Sequence, residues 1–393
     1  MDELDNLPVL LTDMAHQSNK DFKVYFCVNQ PDAWWEDKNK RQSCERNMES
    51  ISYLRQHADF EKEIIDRAGR GKGWKGKQLG VGWARKVCMD AAADEASGDD
   101  MMITLDGDTR FKPAYFQSVS ENFTHHQDAV GLSVPYYHQL IGRDEEDRAI
   151  LRYEIYMRNY AINLWRIGNP YSYTALGSAM ALPVYAYKAI GGMTPKKSGE
   201  DFYFLQKLCK YGRLLSWNCE KVYPAARFSD RVFFGTGPAM IKGASGDWES
   251  YPVYHHTLFD MVRKTYDGFD ILFEKDVALP MDPFLKDTLG WMDPWKALRE
   301  NSKGQAKFRK ACIHKLDGLR ILQFLKHSQR KHGYHDESCL RDLLMEYYQD
   351  DLNKFDFLEP GFTFDTLSVE QLDEIRNFMA GIEEAYQIEN HNR

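Results

Sequence analysis

The chain has 393 residues, 43% of them hydrophobic and 28% charged, and a formal net charge of −8. That length allows one large domain or two, and the apolar content supports a packed core and excludes wholesale disorder. The acidic balance argues against a general nucleic-acid binder, because phosphate affinity needs basic surface. One local exception is "GRGKGWKGKQLGVGWARK" (69–86), which holds six Lys or Arg and no acid.

Seven cysteines without a CxxC spacing fit reduced thiols better than a disulfide framework or a zinc site. The N-terminus "MDELDNLPVL" has neither a basic n-region nor a long apolar run, so no signal peptide is expected. No stretch approaches the roughly 18 apolar residues of a membrane span. The expected location is cytoplasmic, with substrates free to lie at the inner face of a membrane.

Residues 6–17 predict a helix, with Pro8 in its first turn and Leu7, Leu10, Leu11 and Met14 on one face. "FKVYFCVN" (22–29) predicts a strand that ends at "NQPD". Residues 78–93 predict a helix, with Leu79, Trp83, Val87 and Ala91 on one stripe. "MMITLDGDTR" (101–110) then gives a short apolar strand and a turn holding Asp106 and Asp108. A helix over 113–123 and a strand over 129–134 follow. The alternation implies an α/β fold with a largely parallel sheet, and such sheets bind ligands where their strands end.

Residues 144–167 predict a long helix crowded with Tyr153, Tyr156, Tyr160 and Trp165. Next come a small-residue strand in "TALGSAMAL", a short helix over 183–190, and a helix that opens on Glu200 and Asp201 and ends near Gly212. After about residue 245 the pattern is helical and highly charged. The clearest case is "TLSVEQLDEIRNFMAGIEEAYQ", where Ser368 and Gln371 form a capping box. The expected division is therefore 1–245 and a helical extension, 246–393.

Asp106 and Asp108 bracket one glycine. Two anions that close repel each other unless a cation lies between them. Mg2+ and Mn2+ prefer carboxylate oxygens, and such sites often use one or two, with a phosphate completing the shell. An ordinary Asp-Gly turn is the structural alternative. An EF-hand fails, because Phe111 and Gln117 stand where its glycine and final acid belong. A haloacid-dehalogenase-type phosphatase fits poorly, because Thr109-Arg110 follows Asp108 in place of Gly-Thr. Glu200 and Asp201 suit a general base, or equally the ordinary acidity of a helix start.

Taken in order, these segments resemble the family 2 glycosyltransferases of the GT-A fold over roughly residues 1–245. "NLPVLLTDMAHQSNKDFKVYFCVNQ" looks like that family's first helix and second strand. "GVGWARKVCMDAA" resembles its GxxxARN-type helix, "ITLDGD" its metal-binding DxD, "ALGSAMALPVYAYKAIGGM" its acceptor-side segment and "GEDFYFLQKL" its ED motif. The resemblance implies a Rossmann-like, mostly parallel sheet and a metal-dependent, inverting, non-processive sugar transfer from a UDP- or GDP-linked donor. The acceptor would be a glycan, a lipid-linked or a small-molecule hydroxyl compound. It assigns Asp108 to Mn2+ or Mg2+, Asp106 to the metal or ribose, and Asp201 to the base, with Glu200 orienting it.

By the same resemblance Arg85, Asn29 and Lys77 would serve the donor, and Gly177 and Ser178 the acceptor side. Asp230 and Arg231 in "RFSDRVFFGTG" would lie at a loop that often carries a metal- or phosphate-binding group. The chain departs from the family in three ways. It opens at the first helix, so the family's leading apolar strand is expected to be missing from the sheet. Asn29 stands where an acid often reads the base, and the QxxRW motif of processive synthases is absent. The competing expectations are a nucleotidyltransferase and a catalytically impaired glycan-binding or scaffold protein. A homodimer through the C-terminal helices is a further expectation.

Overall fold

The computed structural model describes residues 2–57, 59–76, 78–196, 199–228 and 236–392. The chain runs α1 (Leu7–Ala15), β1 (Lys23–Asn29), α2 (Arg41–Gln56), β2 (Glu61–Arg67), α3 (Val81–Glu95) and β3 (Met101–Thr104). Then come β4 (Arg110–Phe111), α4 (Tyr115–His125), β5 (Ala129–Ser133), α5 (Asp144–Arg166), β6 (Met180–Pro183) and α6 (Val184–Ala189). The α/β part closes with α7 (Glu200–Tyr211), β7 (Arg213–Leu215), β8 (Val222–Tyr223) and α8 (Thr236–Ala244). The result is a mixed α/β fold with a small sheet and a helical C-terminal region.

Two compact units make up the chain. The first comprises Met1–Ile150, Tyr173–Asp247 and Gln387–Arg393, and the second Leu151–Ser172 and Trp248–Tyr386. In the first unit the central sheet has the order β3-β6-β5-β7. β5 and β7 pair in parallel, but β6 is antiparallel to both of its neighbours. The sheet expected to be mostly parallel is thus mixed, with one reversed strand at its centre. β3, β5 and β7 share one direction, and β6 enters between β3 and β5 from the opposite end.

The cause lies at the start of β6. The Thr104 hydroxyl at the end of β3 donates to the Gly177 carbonyl at 2.7 Å, and Met180 then pairs with Thr104. A strand that starts where its neighbour stops must run backwards along it. The same anchoring shortens the strand expected in "TALGSAMAL", since only Met180–Pro183 enters the ladder.

β1 and β2 form a separate parallel pair, in register from Lys23 with Glu61 to Asn29 with Arg67. α3 packs against both β1 and β3. Among the described residues no strand pairs with the remaining edges of β1 or β3, so the sheet is divided between them. Burial follows this division. β5 is buried along its length, whereas β1 and β2 are only half-buried.

α1 seats Leu7, Leu10, Leu11 and Met14 in the core, with proline in its first turn where a missing N–H is harmless. Asp13 on α1 accepts two bonds from Arg110 of β4, at 2.6 and 3.0 Å. That fork ties the first helix to the segment just beyond the DGD turn.

The second unit is helical. It takes the C-terminal part of α5 and then α9 (His256–Asp267), α10 (Phe269–Glu274), α11 (Asp282–Asp287), α12 (Lys296–Asn301) and α13 (Gln305–Lys315). α14 (Gly318–His332), α15 (Asp336–Tyr347), α16 (Gln349–Leu352) and most of α17 (Val369–His391) complete it. Of the aromatic residues of α5, Tyr153 is buried in the core, and the half-buried Tyr156 and Tyr160 pack on the buried Tyr254. A buried ionic network crosses the same region. Glu154 accepts from Arg376 at 2.6 Å and Arg158 at 3.1 Å, and Arg158 also reaches Glu383 at 2.7 Å. The capping box forms as expected, with reciprocal bonds between Ser368 and Gln371 of 2.9 and 3.2 Å.

Candidate functional site

The site starts from a strand that cannot continue. After Thr104 the chain turns, with the Thr109 N–H donating to the Asp106 carbonyl at 3.2 Å. Thr109 is fully buried, so the turn is fixed while the carboxylates on either side of Gly107 stay reachable. The Asp106 side chain is 41% exposed and that of Asp108 17%.

Arg85, one turn into α3, joins this turn to a second acidic pair. One guanidinium nitrogen lies 2.5 Å from the Asp106 carboxylate and the other pairs with Glu200, the first residue of α7. The Arg85 and Glu200 side chains are almost completely buried. Burial works against the guanidinium charge, but Asp106, Glu200 and Asp201 outweigh it and hold Arg85 firmly protonated.

Two glycines permit this approach. A Cβ at Gly177 would overlap the Arg85 guanidinium, and one at Gly82 would come within 2.5 Å of the Lys196 carbonyl oxygen. Gly177 therefore does belong to the neighbourhood of the carboxylates, while Ser178 is buried beside it.

Asp201 follows Glu200 in the first turn of α7. Its carboxylate accepts the Phe202 N–H at 2.8 Å. Desolvation, then the neighbouring Glu200 charge, push its pKa up to about 7 against the opposing pull of Arg85. A carboxyl group poised near neutrality is what a general base requires.

A second arginine completes the cluster. Arg227 lies 2.5 Å from Asp108 and 2.5 Å from Glu3. Desolvation lowers its proton affinity, but Asp108 and Glu3 overcome that and keep it charged. Neither Arg227 nor Glu3 was expected from the sequence. Arg227 opens the "RFSDRVFFGTG" stretch, so the segment was signalled although the residue was not. Asp230 and Arg231, the candidates chosen there, lie outside the described residues, as does Lys77.

The basic run 69–86 is mostly spent locally. Lys72 pairs with Asp66 at 2.8 Å, Lys75 with Asp32 at 3.4 Å and Lys86 with Asp90 at 2.7 Å. Arg85 is the described member of the run that reaches the DGD turn. Asn29, at the end of β1, uses its side-chain oxygen to accept the Trp74 indole N–H at 3.1 Å. Beyond the ends of β1 and β2 lies a cavity of ≈ 610 Å³, lined by Asp32, Trp35, Arg70, Trp74, Lys75 and Leu79. Loop ends on the carboxyl side of parallel strands are the usual ligand position in open sheets.

Five carboxylates and two guanidiniums thus meet at the end of β3: Glu3, Asp106, Asp108, Glu200 and Asp201 with Arg85 and Arg227. The excess negative charge suits a cation. Among the described residues no three His, Cys, Asp or Glu side chains are gathered as a protein-only metal cage requires. The donor chemistry therefore fits a divalent ion held by Asp108 and Asp106 only if a ligand such as a diphosphate supplies the other oxygens. No protein-family model matches the sequence, and no curated protein is significantly similar to it.

Proposed function

We propose that the chain is a glycosyltransferase of the GT-A kind, moving a sugar from a nucleoside-diphosphate donor to an acceptor hydroxyl with inversion. The observation that supports this reading above all is the Arg85 bridge, which joins the Asp106–Asp108 turn to the Glu200–Asp201 pair. Such a bridge sets a diphosphate-side carboxylate pair and a candidate base around one cation.

In this mechanism Asp201 takes the proton of the acceptor hydroxyl. The hydroxyl oxygen forms a bond to the anomeric carbon as the bond from that carbon to the diphosphate oxygen breaks. Attack from the opposite face inverts the centre. Glu200, locked by Arg85, keeps Asp201 oriented and sustains its raised proton affinity. Arg85 and Arg227 offset charge on the departing diphosphate. Mn2+ or Mg2+, when bound, would be held by Asp108 and Asp106 and would supply further neutralisation of that leaving group. The cavity beside Trp74 is the candidate position for the nucleoside end of the donor.

The pairing of Asp108 with Arg227 favours one alternative, a glycan-binding protein without turnover. Release of nucleoside diphosphate from UDP- and GDP-sugars, measured with and without Mn2+, decides between them. The expected result is metal-stimulated release in the native chain, lost by about 100-fold or more in Asp108→Asn. Asp201→Asn should lose transfer yet bind donor nearly as before. Undiminished release by Asp108→Asn would remove the metal assignment.

A further inference from the structure

Besides the run 69–86, the chain gathers positive charge in the helical unit. Residues 303–332 contain nine Lys or Arg against one acid, Asp317, a local net charge of +8. The rest of the chain, in a total of −8, therefore carries −16. The run builds α13 and α14 of the helical unit. Lys303, Lys307, Lys310, Arg330 and Lys331 are all exposed. Helical spacing sets Arg320, His327 and Lys331 along one side of α14.

An apolar tip stands beside that side. The Phe284 ring of α11 lies 5.5 Å from the His327 ring, and the Thr288 hydroxyl lies 3.4 Å from His327 Nδ1. The turn after α11 is held by the Gly290 N–H on the Lys286 carbonyl at 3.1 Å and the Trp291 N–H on the Leu285 carbonyl at 3.0 Å. It seats Trp291 under Lys315 and Arg320, whose charged ends lie 4.9 and 5.3 Å from the ring. Met292 follows, 73% exposed, more than any other large apolar side chain among the described residues.

We propose that this surface docks on a bilayer containing anionic phospholipid. The lysines and arginines of α13 and α14 face the headgroup phosphates, and the Trp291–Met292 tip enters the interface between headgroups and acyl chains. Charge complementarity supplies the attraction, since basic residues near an anionic leaflet are each favoured by its potential. The tip selects the occupant. Tryptophan is enriched at membrane–water boundaries, and an exposed methionine on a braced turn gains from entering apolar surroundings. A soluble polyanion would engage the cations and leave that tip in water.

The test is co-sedimentation of the full chain with vesicles of phosphatidylcholine alone and vesicles one-third phosphatidylglycerol. Binding to the anionic vesicles, weak binding to the neutral ones and release by high salt are expected. The double variant Lys307→Glu/Lys310→Glu should lower the partition coefficient about tenfold or more. Met292→Asp, at an exposed position and with its folding checked by circular dichroism, should lower it severalfold. Lipid chains brominated near the headgroup should quench native tryptophan emission, and quench Trp291→Phe less. Equal binding to both vesicle types, or none to either, overturns the proposal. So does unchanged vesicle binding by Met292→Asp combined with full displacement by inorganic polyphosphate, which would make the surface a site for a soluble polyanion.

Discussion

Asp201 is the residue whose environment says most about pH. Its raised pKa means that the folded protein holds a proton which the unfolded chain has released between the ordinary carboxylate range and about 7. In that window the folded state binds more protons, so stability falls as pH rises toward about 7 and levels off above it. Activity runs the other way. A base must be ionised to accept a proton, so transfer should rise through about pH 7, and Asp201→Asn should abolish that limb of the profile. Thermal denaturation followed from pH 5 to 8 in both proteins checks the first statement, and initial rates over the same range check the second. None of this was legible from the ED dipeptide. An acidic pair at a helix start is cheap in water, and only the packing around α7 makes it otherwise.

At the scale of elements, Arg85 is the joint between α3, the DGD turn and α7. Its removal leaves Glu200 buried with no counter-charge, the situation in which one lost partner costs about 3–5 kcal/mol. Arg85→Met should therefore show a large drop in melting temperature. Arg85→Met combined with Glu200→Leu should recover much of it while transfer stays lost. A double variant as unstable as the single one would mean that Arg85 acts through packing alone.

Which elements could be read beforehand follows from the same physics. β1, β3 and β5 carry β-branched or apolar runs, and each was expected close to where it lies. β2, "EKEIIDR", went unread because charged residues flank only two isoleucines, and it pairs with β1 on one side alone. α2, "RQSCERNMESISYLRQ", hides a core face of Cys44, Ile51 and Leu54 among polar residues. The reversal of β6 depends on where Gly177 meets Thr104, a contact between residues more than seventy positions apart. Arg227 and Glu3 escaped for the same reason, since they lie at opposite ends of the α/β part and only folding brings Arg227 onto both Glu3 and Asp108.

Over the whole molecule, the acidic total conceals an uneven distribution. The helical unit is built around a buried ionic network of Arg158, Arg376, Glu154 and Glu383, two charges of each sign. Lys307, Lys310 and Lys331 of α13 and α14, by contrast, face outward. No helix among the described residues is long and apolar enough to cross a membrane. A sequence isoelectric point near 5.9 would send this protein to an anion-exchange resin at neutral pH. A charged bead, however, senses the patch that touches it and not the sum over the chain. The nine cations of residues 303–332 should therefore also hold the native protein on a sulfonate or phosphate column at low salt. Lys307→Glu/Lys310→Glu, though changed at only two positions, should elute from that column markedly earlier.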